Sequence, residues 1–217
     1  MSAEVSESLA DFPTQGVALV AGGSGGIGRQ VCLALGRAGV DVALTYHRKR
    51  DAAEAVASEL RAMGRRVLIA PLALQDAAAV KAFVDTTAAS FGPIHSLVYA
   101  SGPPIQMTSI SDLTPPQWAS TFDADCNGCF NLMWAGLPHI KASRGSIVAV
   151  ITSAVERVPP RDILSASPKA AIEMLIRGIA KEEGRSGVRA NCVGPGWIDD
   201  GLGREVMQRE MTGEPIS

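Results

Sequence analysis

An apolar run that passes directly into a glycine-rich stretch constrains the fold of this chain more than any other feature. Residues 17–21 read VALVA and residues 21–28 read AGGSGGIG. A run that is apolar at every position is typical of a central parallel strand covered on both faces. Glycines let a backbone approach a diphosphate closely, and the N-terminus of a following helix offers free N–H groups.

Two glycine spacings overlap in this stretch. Gly23, Gly25 and Gly28 match G-x-G-x-x-G, and Gly22, Gly26 and Gly28 match the wider G-x-x-x-G-x-G. A glycine-rich turn without a ligand is the alternative that a lone motif leaves open. The position between an apolar strand and a helix favours a dinucleotide-binding turn.

Short β-rich runs alternate with longer amphipathic stretches along the rest of the chain. The predicted strands are 17–21, 41–46, 66–72, 97–100, 146–151 and 188–193. The predicted helices are 26–38, 51–63, 76–91, 116–141 and 168–184, followed by a short helical stretch near 202–210. Ser167 and Pro168 suit an N-cap and a first helical position, so a helix start is predicted there. The alternation predicts an α/β doubly wound parallel sheet, the Rossmann fold, in a single domain over 15–217 behind a flexible lead over 1–14.

Charge and composition reduce the number of possible binding partners. The formal net charge of the 217 residues is −2 and no long basic stretch occurs, which argues against nucleic acid. No apolar run has the length of a membrane span, and the polar N-terminus does not have the pattern of a secretory signal. Four cysteines are interpreted as reduced thiols of a cytoplasmic protein. Cys126 and Cys129 form a C-x-x-C without a second pair, so no metal site is expected.

Several segments together resemble the short-chain dehydrogenase/reductase family, and within it the 3-oxoacyl-acyl-carrier-protein reductases. The resemblance runs from about Val17 to Leu202. Besides the glycine-rich turn, it rests on LVYASG (97–102), GCFNL (128–132), GSIVAVITS (145–153), SPKAA (167–171) and RANCVGPGWI (189–198). It implies a nicotinamide cofactor and a carbonyl or alcohol substrate. Relatives usually continue into another helix and a seventh strand, so we expect a C-terminally short chain, a more open pocket and a homodimer through helices 116–141 and 168–184.

The end of the second predicted strand favours NADP(H) over NAD(H). An NAD enzyme usually carries an acid there, bonded to the ribose 2′-OH, whereas residues 45–50 read TYHRKR. A 2′-phosphate would form charge-assisted hydrogen bonds with His47, Arg48 and Lys49. The alternative is a basic loop that only contacts solvent. The resemblance implies that the other cofactor-binding residues are Gly22, Ser24, Gly26, Ile27, Gly28, Ala100, Ser101, Gly102, Lys169, Pro195, Gly196 and Ile198.

The resemblance also implies the catalytic residues. In the family a tyrosine gives a proton to the carbonyl oxygen, a lysine lowers the pKa of that tyrosine, a serine fixes the carbonyl and an asparagine supports a proton relay. Matching positions place the serine at Ser153 and the lysine at Lys169. The asparagine position holds Asp125.

The tyrosine itself is missing. Four residues before Lys169 the chain has Ser165, or Leu164 if Pro168 is counted as an insertion. A serine hydroxyl is a far weaker acid than a phenol with its pKa near 10, and loss of a general acid typically slows a reaction about a hundred- to ten-thousandfold. Tyr99, at the end of the fourth predicted strand, is interpreted either as a substitute proton donor or as an aromatic ring packed on the cofactor.

Two functions stay open at this stage. The first is an NADP(H)-dependent oxidoreductase that reduces a ketone or β-ketoacyl carbonyl with an atypical site, where Ser165 or a bound water replaces the phenol. The second is a catalytically degenerate protein on the same scaffold: a cofactor-bound sensor, a partner-binding subunit, or a non-redox cyclase, isomerase or lyase. The retained Ser153, Lys169 and glycine turn favour the first, and the missing tyrosine favours the second.

Overall fold

A computed structural model describes residues 15–198 together with Pro13 and Arg204. Six parallel strands form one sheet in the order β3-β2-β1-β4-β5-β6. The strands are β1 (Val17–Ala21), β2 (Asp41–Tyr46), β3 (Val67–Pro71), β4 (Ile94–Tyr99), β5 (Ser146–Val150) and β6 (Arg189–Val193). All five side chains of β1 are buried, as its apolar sequence predicts for the centre of a parallel sheet. The predicted doubly wound fold is confirmed.

Helices cover both faces of this sheet. They are α1 (Gly26–Arg37), α2 (Arg50–Ala62), α3 (Ala77–Phe91), α4 (Pro115–Phe122), α5 (Gly128–Ser143) and α6 (Ile163–Glu183). Helices α1 and α2 pack on one face and contribute Leu33 and Leu60 to its core. Helices α3, α5 and α6 pack on the other face, where Val80, Leu132 and Ile172 are buried. The carboxyl ends of all six strands therefore meet at one open edge, where doubly wound folds place their ligands.

The helix predicted over 168–184 begins earlier than its sequence suggests. Helix α6 starts at Ile163, and Pro168 lies inside it, so the predicted start at Ser167 and Pro168 is wrong. A proline there forfeits the single hydrogen bond that its missing N–H would give to the carbonyl of Leu164. Burial of Leu164, Ala166 and Pro168 against the core outweighs that loss and extends the helix towards the cavity.

Two further predictions need correction. The helix predicted over 116–141 is interrupted by a π-helical turn at Asp123–Asn127, which a 3.6-residue pattern does not reveal. The fourth strand, predicted over 97–100, begins earlier, at Ile94, and so includes His95, whose Nδ1 is hydrogen bonded to Ser96. The lead over 1–14, apart from Pro13, and the helical stretch near 202–210, apart from Arg204, fall outside the described residues.

Within the described part of the chain, no helix combines the length and apolarity that a bilayer crossing requires.

Candidate active site

The sheet order reverses between β1 and β4, and a cavity of about 540 Å³ opens at the carboxyl ends of these strands. Its walls come from parts of the chain that are far apart in sequence. The glycine-rich turn forms one end, the loop after β4 and the Pro195-Gly196 turn form the sides, and α6 closes the other end. Of the predicted site residues, those that line the cavity are Ser24, Gly26, Ile27, Lys49, Ala100, Ser101, Gly102, Asp125, Ser153, Ser165, Lys169, Pro195, Gly196 and Ile198.

The glycine-rich turn leaves the start of α1 open towards the cavity. Gly25 is the N-cap of α1, and no side chain caps the first-turn N–H groups. Such groups attract a phosphate through their hydrogen bonds and the helix dipole. These features fit the diphosphate of a dinucleotide.

Gly22 and Gly28 lie behind the cavity wall and serve close packing. Gly22 has a φ of +82°, and a Cβ on it would lie 2.5 Å from the carbonyl oxygen of Ala100. A Cβ on Gly28 would lie 2.1 Å from the carbonyl oxygen of Gly22. Both positions therefore require glycine for the shape of the turn, whether or not a ligand is bound.

Cations gather at the end of the cavity beside β2. Lys49 and Arg29 line the cavity, and Arg29 is hydrogen bonded to both carboxylate oxygens of Glu59 at 2.9 and 3.2 Å. His47 and Arg48 are exposed and are not part of the cavity lining. The last residue of β2 is Tyr46, so no carboxylate stands where the ribose 2′-OH of NAD would be bound.

Ser153 follows β5 and begins a short 3₁₀ turn. Its backbone N–H donates to the carbonyl oxygen of Pro195 at 3.0 Å, which joins the serine to the Pro195-Gly196 turn. The side chain of Thr152 caps the 3₁₀ turn by accepting from the N–H of Ala154 at 3.2 Å. These backbone contacts hold the Ser153 hydroxyl at the cavity, where it can donate to a substrate oxygen.

Lys169 is held by a buried carboxylate that the sequence did not identify as its partner. The Lys169 Nζ donates to Asp125 Oδ1 at 2.9 Å and to the carbonyl oxygen of Ser101 at 2.9 Å. The side chains of Lys169 and Asp125 are only 11% and 1% exposed. Asp125 stands on the π-helical turn, whose extra residue alters the direction of the side chains around it.

Tyr99 completes this cluster and does not reach the cavity. Its ring is fully buried beneath Lys169, 4.8 Å from Nζ, and its hydroxyl donates to Asp125 Oδ1 at 2.6 Å. Burial, and then the negative charge of Asp125, raise the pKa of Tyr99 well above its usual range. Both interpretations of Tyr99 are therefore wrong: it is neither exposed to a substrate nor packed on a cofactor in the cavity.

The register of α6 decides between Ser165 and Leu164. The helix runs through Pro168 without an inserted residue, so Ser165 lies one turn before Lys169 and lines the cavity. Leu164 is buried in the core. We therefore propose Ser165, and not Leu164, for the position of the family tyrosine.

Asp162 is a cavity-lining acid that sequence reasoning missed. It is the N-cap residue of α6, and only 9% of it is exposed. Burial raises the pKa of its carboxyl from its usual 3.8 to about 6. The available signal was its spacing: residues 162, 165 and 169 share one face of a helix, and Asp162 follows the pair Pro159-Pro160 closely.

The cysteines lie apart from any set of metal ligands. Among the described residues, no group of three or more His, Cys, Asp and Glu side chains is positioned to hold a metal ion. All four cysteines are free thiols, and burial raises the pKa of the Cys129 thiol.

Comparison with known proteins identifies the class of protein that this fold and cavity represent. The model of the short chain dehydrogenase family matches residues 16–211. The chain belongs to this family of oxidoreductases, as its sequence motifs predict.

Two curated relatives illustrate the match. A chloroplastic NADPH-dependent aldehyde reductase-like protein of Arabidopsis thaliana is 31% identical, over 91% of this chain and 78% of the relative. A 3-oxoacyl-acyl-carrier-protein reductase of Staphylococcus aureus is 29% identical, over 92% of this chain and 83% of the relative. The resemblance to the acyl-carrier-protein reductases is thereby confirmed.

Solved structures agree with the fold. A short chain dehydrogenase from Burkholderia cenocepacia, solved in complex with NADP, superposes with a TM-score of 0.82 at 32% identity, over 87% of this chain and 77% of that one. Carveol dehydrogenase from Mycobacterium avium, solved in complex with NAD, shares the fold alone, with a TM-score of 0.79 at 23% identity over 83% of this chain and 70% of that one.

Proposed function

We propose that this chain is an NADP(H)-dependent oxidoreductase that reduces a ketone or β-ketoacyl carbonyl. One observation carries the proposal: a single cavity joins the glycine-rich turn to Ser153, Ser165 and Lys169. The turn and the open start of α1 suit the diphosphate, and the polar side chains at the other end suit a carbonyl oxygen. The names of the reductase relatives support the same direction of reaction.

The proposed cofactor is NADP(H). Lys49 lines the cavity beside β2, His47 and Arg48 flank it, and no acid ends that strand. A 2′-phosphate placed there would gain charge-assisted hydrogen bonds, whereas the 2′-hydroxyl of NAD would lack its usual carboxylate partner. The NADP complex of the Burkholderia relative agrees with this choice.

The bound nicotinamide would supply the hydride, and the chain's residues would orient and polarise the carbonyl. Ser153 donates a hydrogen bond to the carbonyl oxygen and stabilises the charge that develops there. Lys169, fixed by Asp125 and by the carbonyl of Ser101, stands at the same end of the cavity, where the nicotinamide ribose would lie. Ser165 occupies the position of the family's phenol and orders a water or the substrate oxygen.

The walls indicate a substrate with an apolar body. Pro103, Ile105 and Met107 after β4 form one side of the cavity, and Pro159 and Trp197 contribute to the rest. Ser153 and Ser165 are among the few polar groups at this end, and a mostly apolar wall with a few polar groups is common in sites for small molecules. We therefore expect carbonyls with an acyl or cyclic apolar group to be preferred over small polar ketones.

NADPH oxidation against a panel of ketones, aldehydes and β-ketoacyl thioesters tests the proposal. We expect turnover with at least one apolar carbonyl and a loss of a hundredfold or more in kcat/KM for Ser153→Ala. The exposed serine substitution Ser111→Ala is a matched control that should leave kcat/KM unchanged. Absence of turnover by a protein that binds NADPH would reject the reductase function.

A second candidate is a catalytically degenerate member of the family that binds the cofactor without redox turnover. The observation in its favour is the ion pair of Lys169. The Lys169 ammonium binds the buried carboxylate of Asp125, and no phenol stands at residue 165 to act as the proton donor. Tight NADPH binding with no oxidation of the cofactor on any carbonyl, in either direction of reaction, would favour this candidate.

We also propose a cytoplasmic homodimer, in which α4, the π-helical turn, α5 and α6 form the interface. Large apolar side chains are exposed on these elements: Phe130 and Trp134 lie four residues apart on α5, at 52% and 51% exposure, and Met174 on α6 is 65% exposed. Paired aromatic side chains at this spacing are typical anchors of an interface.

Sedimentation velocity of Trp134→Lys and Phe130→Lys variants tests the dimer. Both variants should sediment as monomers. Ile110→Lys removes an apolar side chain that is more exposed, at 70%, and lies outside the proposed interface, so this variant should sediment as a dimer, like the unaltered protein. Monomeric behaviour of the unaltered protein would contradict the proposed interface.

A further inference from the structure

Asp162 is the one cavity-lining carboxyl that has no partner among the described residues. Asp125, the other acid in the lining, binds Lys169 and Tyr99. The Asp162 carboxyl caps no helix N–H and accepts no other hydrogen bond from the described part of the chain. Because no group of the described residues binds this carboxyl, it is available to a ligand or a reaction in the cavity that it lines.

Asp162 stands on the helix face that carries the rest of the catalytic candidates. It precedes Ser165 by three residues and Lys169 by seven, and all three line the cavity. At about 1.5 Å of rise per residue, Asp162 is about 4.5 Å along the helix axis from Ser165. A carboxyl there lies less than one turn from the position where relatives carry the phenol.

The backbone next to Asp162 is held in place by the loop that follows β4. Arg161 adopts a left-handed conformation, with a φ of 69°. Its guanidinium donates to the carbonyl oxygen of Met107 at 2.9 Å, and its own carbonyl accepts from the N–H of Thr108 at 2.9 Å. A left-handed arginine is strained, and such strain is concentrated at functional sites. The two hydrogen bonds of Arg161 hold the neighbouring Asp162 beside the loop that would contact the substrate.

Resting on the reductase function proposed above, we infer that Asp162 is the proton donor to the carbonyl oxygen in place of the missing phenol. In reduction, the carbonyl carbon receives the hydride while its π bond to oxygen opens. The oxygen takes the proton of the Asp162 carboxyl, which is left as a carboxylate and regains a proton from water. In alcohol oxidation, the Asp162 carboxylate accepts the hydroxyl proton as hydride leaves the carbon.

The electrostatics of the cavity suit this role. The charged groups that face the same cavity are Arg29, Lys49, Asp125 and Lys169, and those on the adjoining segment are Glu156, Arg157 and Arg161. Burial is the cause of the raised pKa of Asp162, which reaches about 6. A carboxyl with such a pKa keeps its proton into mildly acidic solution, and an acid is most effective when its pKa lies near the working pH.

The test compares Asp162→Asn with the exposed substitution Asp112→Asn. We expect kcat/KM for carbonyl reduction to fall about a hundred- to ten-thousandfold in Asp162→Asn, with an unchanged Kd for NADPH, and to stay unaltered in Asp112→Asn. Reduction by the unaltered protein should weaken as pH rises through about 6, and oxidation should strengthen. Both pH dependences should be lost in Asp162→Asn, and Asp162→Glu should keep part of the activity.

A second readout does not depend on turnover. Carbon NMR of aspartate-labelled protein should show one carboxyl that titrates near pH 6, absent from Asp162→Asn and present in Asp112→Asn. Reduction that survives Asp162→Asn, or an Asp162 carboxyl that titrates near its usual value, overturns the proton-donor role alone. An unaltered protein that binds NADPH and reduces no carbonyl overturns the reductase function, and this assignment with it.

Discussion

The two ends of the cavity differ in what recognises the ligand. At the cofactor end, the backbone forms most of the site. The start of α1 has no side-chain cap, and glycines without a Cβ permit close packing of the turn. At the chemical end, side chains are required, and there we propose that Ser165 and Asp125 stand at the positions of the family's tyrosine and asparagine. A backbone site tolerates almost any side chain that does not obstruct it, whereas a catalytic site changes with each substitution. We therefore propose that the cofactor end keeps the family's pattern and that the chemical end departs from it.

The largest expected effect is at the chemical end. Asp125→Ala leaves Lys169 with a buried charge and removes the carboxylate acceptor of Tyr99, so we expect the free energy of unfolding to fall by about 3–5 kcal/mol. Urea unfolding measures this. Asp123→Ala, two residues away on the same π-helical turn but exposed, should change stability by less than about 1 kcal/mol.

At the cofactor end, Gly28→Ala should lower the free energy of unfolding by about 3 kcal/mol and abolish tight NADPH binding. The new Cβ would meet the Gly22 carbonyl oxygen at 2.1 Å, so the turn has to open. Gly178→Ala, inside α6 with no atom within 4 Å of the added Cβ, should instead raise stability by about 0.5–1 kcal/mol. Equal effects of the two substitutions would contradict the packing argument.

The cation cluster distinguishes the cofactors. Arg48→Ala or Lys49→Ala should weaken NADPH binding by about 1–3 kcal/mol and leave NADH binding nearly unchanged, because only NADPH carries the 2′-phosphate. Fluorescence titration with both cofactors measures the difference. Equal or tighter binding of NADH by the unaltered protein would reject the NADP(H) preference.

Restoring the phenol tests how far the chemical end has diverged. Ser165→Tyr places a phenol one turn before Lys169, and we expect about a tenfold gain in ketone reduction, with rescue of Asp162→Asn. The gain is limited because Asp125 balances the charge of Lys169, which would otherwise lower the pKa of the new tyrosine. A variant that binds NADPH normally and gains nothing on any ketone would support the non-redox alternative.

The smallest expected effect is a pH dependence of stability. The raised pKa of Asp162 means that the folded chain binds more protons than the unfolded chain between pH 3.8 and about 6. The contribution of this group to stability is therefore present below pH 3.8 and is lost as pH rises to 6. We expect a difference of about 1 kcal/mol, reduced by the water of the cavity. Thermal unfolding across this pH range should show the change in the unaltered protein. Asp162→Asn, which lacks the carboxyl, should not show it.

Local patterns predicted the sheet well. The apolar run at 17–21 and the alternation after it are sufficient for the strands of a parallel sheet, since burial on both faces leaves a continuous apolar signal. The helix predicted over 76–91 also begins as expected: Asp76 is the N-cap of α3, and its side chain accepts from the N–H of Ala79. The start of α6 was predicted wrongly because the local preference of Pro168 was overridden by core packing that no local pattern contains.

By itself, the sequence determined the alternation of strands and helices, the glycine-rich turn and the absence of a tyrosine four residues before Lys169. Only the tertiary structure decided that Asp125 binds Lys169 and that Asp162 lines the cavity. Asp125 lies 44 residues before Lys169 and reaches it only because a π-helical turn faces α6. The raised pKa of Asp162 comes from burial at a cavity whose walls come from seven separate stretches of chain. Hydrogen bonds and desolvation depend on distance in space, and spacing along the chain does not encode them.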